Sequence, residues 1–277
     1  MKILKRILLI GFTVFVLFSY VSYVYADNLN SAALNPGATN DQYFSTADHA
    51  DFEGTNLTLE AWLKVETAPA SNDEDFIMGK TDVDNARAYA FRYYNISGTL
   101  SLALAISSDC SGQTSKAVTQ TVTAGEWHHV AVVYTAAGGT ADFYYDGQPT
   151  GAQQTGLPTS RCNGDAIFGI GNAETVPYPF LDAEIDEVRV WNTARTAVEI
   201  DANYDVELNG NETGLVAYYQ MEPAAPLEDR GETTDPTGSA ANDLTNNNSI
   251  TFSTDVPFVD ADPAAAATGR RRLIIVQ

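Results

Sequence analysis

The sequence is short of basic residues and of cysteine. Its 277 residues include 15 Lys and Arg against 36 Asp and Glu, which gives a formal net charge of −21. Such a surface repels phosphate backbones, so nucleic acid is not an expected partner. Two cysteines are too few for a metal–thiolate site, which needs more ligands at regular spacing.

Long helical periods and the common catalytic motifs are also missing. No helical period longer than about three turns occurs before residue 196. The sequence contains no G-x-S-x-G, H-E-x-x-H or G-x-x-x-x-G-K-[ST], which excludes the enzyme classes built on them. Asp82-Val83-Asp84-Asn85 begins like a calcium-binding loop, but Ala86 stands at the fifth position and no Gly follows.

The two ends of the chain differ from its middle. Residues 1–26 have a basic start, an apolar run and a small-residue ending at Ala26, which predicts a secretory signal peptide. The alternative is an uncleaved anchor over residues 7–25. Both place residues 27–262, the predicted domain, in an extracytoplasmic space, secreted or at the cell surface. We interpret residues 263–277 as a flexible tail.

The middle is rich in short strand patterns separated by Gly, Asn, Asp and Ser. Trp127 to Tyr145 predicts an antiparallel hairpin, followed by the turn signal Asp146-Gly147. In LTLEAWLKVE, which starts at Leu57, apolar residues alternate with the set Thr58, Glu60, Trp62 and Lys64. Thr196 and Glu199 form a predicted capping box that opens a short helix near 196–204. The pattern indicates an all-β antiparallel sandwich.

Three motifs then occur in order: LTLEAW, the hairpin WHHVAVVY…FYYDG and AEIDEVRVWN, followed by GNETGLVAYY. Together they resemble laminin-G-like domains of the concanavalin A-like lectin/glucanase superfamily over about residues 28–260. The resemblance implies a jelly-roll fold and a non-catalytic module that binds glycan or an extracellular protein. It also implies one Ca²⁺ ion, with Asp41 and Asp186 at the positions that match acidic sites of the family. A structural, hydrogen-bonding carboxylate is the alternative for Asp186.

Two rival functions remain open at this point. Related β-glucanases carry E-x-D-x-E or E-x-D-x-x-E on one strand, and Glu184-Ile185-Asp186 matches the first half. Val188 and Arg189 occupy the two places where the third carboxylate would stand, so a retaining glycoside hydrolase is disfavoured. A purely structural surface domain is the other rival.

The segment RAYAFRYYN gives the candidate ligand face. One of its faces carries Tyr89, Phe91 and Tyr93, and the other carries Arg92 and Tyr94. Aromatic rings beside polar groups suit a sugar, but one of the two faces must belong to the core, and alternation does not tell which.

Two structural pairs complete the predictions. Cys110 and Cys162 lie in turn-like sequence of a predicted exported protein, so we expect one disulfide between them. Glu60 and Arg189 each lie in the middle of an apolar strand. A buried charge needs a partner, so we expect their strands to be neighbours and the two side chains to pair.

Overall fold

The computed structural model describes residues 30–34, 42–81, 88–172, 180–223, 229 and 242–258. The predicted signal peptide at 1–26 and tail at 263–277 lie outside these residues, so the predicted domain bounds remain predictions. No helix in the described ranges is long and apolar enough to cross a membrane.

Two antiparallel sheets form a sandwich, as the sequence predicted. In the described residues the strands are β1 (Ser31–Leu34), β2 (Tyr43–Thr46), β3 (Leu57–Val65), β4 (Glu74–Lys80), β5 (Tyr89–Ile96), β6 (Thr99–Ile106), β7 (Thr114–Thr119), β8 (Trp127–Thr135), β9 (Thr140–Tyr145), β10 (Gln148–Thr155), β11 (Phe168–Ile170), β12 (Ala183–Trp191), β13 (Leu215–Tyr219), β14 (Thr245–Asn247) and β15 (Thr251–Ser253). One α-helix, α1 (Ala197–Asn203), precedes β13.

The first sheet has the strand order β10-β9-β8-β3-β12-β1-β15, with β13 paired to the other end of β12. The second has the order β14-β2-β11-β4-β5-β6-β7. Sequential strands change sheet repeatedly, so neighbours in a sheet are often distant in sequence. The disulfide Cys110–Cys162, as predicted, joins the β6–β7 loop to the β10–β11 loop across 52 positions of sequence.

Period-two alternation explains why the central strands face each other. In β3 the side chains of Leu57, Leu59, Ala61, Leu63 and Val65 all belong to the core between the sheets. The facing strand β5 contributes Tyr89, Phe91 and Tyr93 to the same core. Each sheet therefore turns one apolar face inward, and its other face remains for a second layer or for a ligand.

The turns follow local chemistry. Asp146 and Gly147 connect β9 to β10 with φ of 48° and 75°, the positive values that a two-residue type I′ hairpin requires. At the start of α1, the Thr196 side chain accepts from the Glu199 backbone N–H, and the Glu199 side chain accepts from the Thr196 backbone N–H. This confirms the predicted capping box.

Candidate functional site

The outer face of the first sheet is covered by the protein's own chain. Residues 194–208, the covering segment, include α1 and lie over β3, β8 and β12. The Trp62 indole N–H donates to the Tyr204 carbonyl at 2.7 Å, and Arg189 donates to the carbonyls of Asn203 and Val206 at 2.7 and 2.6 Å. Two of these carbonyls, those of Asn203 and Tyr204, lie at the end of the helix and have no partner within it. Trp62 therefore has a structural role.

Buried charges beneath the covering segment are paired, although not as predicted. Arg189 and Glu60 are register partners on the neighbouring strands β12 and β3, which confirms the predicted adjacency. The predicted Glu60–Arg189 ion pair is wrong. Glu60 Oε2 instead lies 3.2 Å from His129 Nε2, and Arg189 Nη2 lies 2.6 Å from Glu187 Oε2.

A β-bulge explains the change of partner. Between Asp186 and Arg189 the register shifts, so that Glu187 and Val188 together lie opposite Ala61. Glu187 has φ of 50° and its carboxylate is fully buried beside Arg189. A regular strand would have turned both Glu187 and Arg189 inward with Ile185, whereas the bulge turns both of them outward. Because Glu187 is closer, it takes the guanidinium and leaves Glu60 to His129.

Electrostatics agree with these pairs. Burial raises the pKa of Glu60, but the hydrogen bond and charge of His129, with Arg189 and Arg195 nearby, outweigh it and hold the pKa below its usual value. Burial raises the pKa of Glu187 against the charge of Arg189 and the hydrogen bonds of Arg189 and Tyr218. Both carboxylates are buried and paired with a neighbouring side chain, and neither faces solvent.

The carboxylates of the Glu184-Ile185-Asp186 strand are engaged in the same way. Glu184 forms a salt bridge of 3.0 Å to Lys64 and accepts from the Ser31 hydroxyl. Asp186 is fully buried and accepts from the Glu187 backbone N–H at 2.8 Å. This geometry fits the structural alternative for Asp186. Asp41 lies outside the described residues. Within them, no group of three or more His, Cys, Asp or Glu is arranged to hold a metal ion.

The outer face of the second sheet has a different composition. Its side chains on β4, β5, β6 and β7 form three register rows, which we call the β4–β7 face. The rows are Glu74, Tyr94, Ser101 and Thr119; then Phe76, Arg92, Ala103 and Ala117; then Gly79, Ala90, Ala105 and Ser115. Small side chains and hydroxyls dominate, so the face is flat across four strands.

Only part of the β4–β7 face is accessible. Phe76, Ala90 and Ala105 form a small buried cluster with no exposed surface. Tyr94 and Glu74 are half-buried, and Ser115 and Thr119 on β7 are exposed. Arg92 Nη1 donates to both carboxylate oxygens of Glu74 at 2.8 Å. Glu74 is the register partner of Tyr94, so the ion pair lies beside this tyrosine. The accessible strip therefore combines the Tyr94 ring, the Glu74 carboxylate that covers the buried Arg92, and the hydroxyls of Ser115 and Thr119.

The structure divides the predicted ligand residues between two faces. Arg92 and Tyr94 lie on the β4–β7 face. Tyr89, Phe91 and Tyr93 were wrong as ligand residues, because all three are fully buried between the sheets. Tyr89 donates its hydroxyl to the Phe52 carbonyl, and Tyr93 accepts from the Val122 N–H. The larger aromatic set was the core face because it meets the apolar face of the first sheet.

Comparison with known families agrees with this architecture. A family model described as the concanavalin A-like lectin/glucanases superfamily matches residues 38–201. The chain belongs to this superfamily. Curated proteins give no match to the sequence.

Solved structures with the superfamily sandwich include two that cover most of the chain. One is a Bacteroides ovatus protein provisionally described as carbohydrate binding, at 20% identity and a TM-score of 0.61, covering 85% of this chain. The chain spans 61% of that protein's length. The other is the heptameric SAP-like pentraxin of Limulus polyphemus, at 14% identity and a TM-score of 0.55, covering 82% of this chain and 96% of that one. At these identities the similarity shows the fold.

The superfamily motifs acquire a physical explanation here. Glu60, Trp62, Glu187 and Arg189 come from two of the motifs, and all of them lie beneath the covering segment. The motifs therefore identify the fold rather than a ligand site. Three further members of the β4–β7 face, Ser101, Ala103 and Ala117, were not among the predicted ligand residues. Their even spacing along β6 and β7 was the available signal.

Proposed function

We propose that the chain is a non-catalytic recognition module that binds glycan through the β4–β7 face. The observation that carries this proposal is the contrast between the two outer faces. The first sheet is covered by residues 194–208, whereas the second presents a strip with the half-buried Tyr94 and Glu74, the latter paired to the buried Arg92, and the hydroxyls of β7. A ring can stack on the CH surface of a sugar while neighbouring polar groups bond its hydroxyls.

The similarity to the Bacteroides ovatus protein supports glycan over a protein partner as the ligand to test first. A glycoside hydrolase is the weaker alternative. Retaining catalysis needs two carboxyl groups about 5–5.5 Å apart across the scissile bond. Glu184 forms a salt bridge to Lys64, and Asp186 is fully buried, so the two do not form an accessible carboxyl pair.

We also propose that the protein works outside the cytoplasm, secreted or at the cell surface. The Cys110–Cys162 disulfide supports this location, since such bonds persist in oxidising compartments. The basic and apolar start of the sequence supports it independently.

The test is a glycan-array screen of the protein with Tyr94 variants, followed by calorimetry on the glycans that bind. Tyr94→Ala should weaken binding about threefold to tenfold, the value of one aromatic contact of roughly 0.5–1.5 kcal/mol. Tyr94→Phe should keep the affinity if the ring stacks. Tyr145→Ala, a half-buried tyrosine on the other sheet, is the matched control. Equal affinities for wild type and Tyr94→Ala would remove this face from the proposal.

Two side measurements separate the rivals. Reducing-sugar release from β-glucans by the same sample would indicate a hydrolase instead of a binding module. The calcium dependence implied by the family remains a prediction. If one Ca²⁺ binds the native state, the melting temperature should rise from chelator to millimolar calcium by mass action. An unchanged melting temperature would end the calcium hypothesis.

A further inference from the structure

The described residues contain seven Lys and Arg side chains, and carboxylates neutralise five of them. Salt bridges of 4.0 Å or less join Lys64 to Glu184, Lys80 to Asp48, Arg92 to Glu74, Arg189 to Glu187 and Arg195 to Glu199. Three of these cations, Lys80, Arg92 and Arg189, are also buried. A cation that is paired with a carboxylate in this way is not available to bind an anionic group of a ligand.

The two remaining cations do not lie on the β4–β7 face. Arg161 donates to the backbone carbonyls of Phe52, Gly54 and Asn56, and its guanidinium lies 4.9 Å from the centre of the Tyr89 ring. Lys116 is the register partner of Leu104, a core residue, so its side chain leaves β7 on the inner side. Among the described residues of the β4–β7 face, Arg92 is the one cation, and Glu74 cancels its charge.

The chain that carries this face is strongly negative overall. Between Asp27 and Asp262 the sequence has 36 acidic residues and nine Lys or Arg, so the difference is 9 − 36 = −27. A sulfated or uronic acid glycan would meet this field with no uncompensated cation on the described face to receive its anions. An uncharged sugar chain meets no such barrier, since stacking and hydroxyl hydrogen bonds do not depend on net charge.

We propose that the glycan bound by the β4–β7 face is uncharged, and that sulfated and uronic acid polysaccharides are excluded. The proposal rests on the proposed glycan-binding function and adds the chemical class of the ligand. The exclusion comes from the Glu74–Arg92 pair on the face and from the negative net charge of the chain.

The experiment uses an array of neutral oligosaccharides and their sulfated or uronic acid counterparts on the same backbones. The full chain should bind neutral members at least tenfold more tightly than their charged counterparts. Its affinity for the neutral members should change less than twofold between 50 and 500 mM NaCl, because salt screens charge–charge contacts and a neutral sugar makes none. Tighter binding of the anionic counterparts would overturn this inference and leave the glycan-binding function standing. Binding to no glycan at all would overturn the function itself.

Glu74→Gln supplies the decisive variant. It removes the carboxylate that pairs with Arg92 on this face, so binding to the anionic counterparts should rise at least fivefold. Glu126→Gln changes the net charge equally at an exposed position beside β8 and should change anionic binding less than twofold. Equal effects of the two variants would show that net charge, and not the face, controls selection. Melting temperatures confirm that both variants are folded.

Discussion

At the scale of single residues, Asp75 is a carboxyl group buried in the core between the sheets. It lies on β4 opposite Tyr93, a core residue, so it points between the sheets with 4% of its surface exposed. Its Oδ2 has no hydrogen-bond partner in the part of the chain that the structure describes. Burial, with the negative charges of Asp73 and Asp182 nearby, raises the pKa of Asp75 to about 8.

Asp75 should therefore make stability fall as pH rises. The carboxyl ionises near its ordinary pKa of 3.8 in the unfolded chain and near 8 in the folded one. Between these values the folded state holds a proton that the unfolded chain has lost. The stabilisation that this proton binding gives the folded state is therefore complete below pH 3.8 and is lost by about pH 8. The slope is at most about 1.4 kcal/mol per pH unit. Asp75→Asn should remove it and be the more stable protein at pH 8.

Urea unfolding at pH 5 and pH 8 measures the effect. The difference between Asp75→Asn and wild type should grow in favour of the variant from pH 5 to pH 8. Asp165→Asn, at an exposed position, should follow the wild type at both values. A variant that loses stability at pH 8 would show that the Asp75 carboxylate is stabilised in the fold.

At the scale of elements, the β12 bulge is the feature that orders the outer layer. By inserting one residue it places both Glu187 and Arg189 under the covering segment, where the Tyr218 hydroxyl also donates to Glu187 at 2.7 Å. Arg189 then reaches the carbonyls at the end of α1. A regular strand would have continued the inward face of Ala183 and Ile185 through Glu187 and Arg189 and put both charges in the apolar core, where burying a charge is costly.

Two substitutions at the bulge separate its charge from its backbone. Both Glu187→Ala and Glu187→Gly leave Arg189 buried without its carboxylate, which should cost about 3–5 kcal/mol. Glu187 has φ of 50°, a left-handed conformation that Gly adopts without steric cost and Ala does not. Glu187→Gly should therefore be the more stable of the two by about 1 kcal/mol. Denaturant unfolding checks the order, and equal stabilities would argue against a left-handed backbone at this position.

At the scale of the whole molecule, the disulfide joins two loops that follow strands of different sheets. Cys110 follows β6 in the second sheet, and Cys162 follows β10 in the first. The Cys162 backbone N–H also donates to the Ser107 carbonyl at 2.8 Å, so the two loops meet independently of the bond. The bond therefore constrains the unfolded chain more than it shapes the native one.

Removing the bond should lower stability without changing the fold. Closing a loop across 52 positions is worth roughly 4 kcal/mol in the chain-entropy treatment, so Cys110→Ser with Cys162→Ser should lose up to that amount. The far-ultraviolet circular dichroism spectrum should stay unchanged. Thiol alkylation before reduction, followed by intact-mass analysis, should label neither cysteine of the wild type. Two labelled cysteines would contradict the bond.

Some of the architecture could be predicted from local patterns because their causes are local. The hairpin of β8 and β9 has the predicted bounds, since alternation and turn residues are properties of neighbouring positions. The capping box of α1 is local for the same reason. Strand β10, QPTGAQQT, was missed because it is a mostly exposed edge strand, with no buried face to impose alternation.

By itself the sequence determined that the chain is an all-β sandwich of the concanavalin A-like superfamily. It also determined that the two cysteines pair with each other and that Arg92 and Tyr94 share a face. Only the tertiary structure decided that this face points outward, because alternation separates two faces without saying which meets the other sheet. Likewise, only the structure decided that Arg189 pairs with Glu187. A partner is chosen by distance in three dimensions, and the bulge, which shifts the alternation between Ile185 and Val188, turns Glu187 and Arg189 to the same outer side.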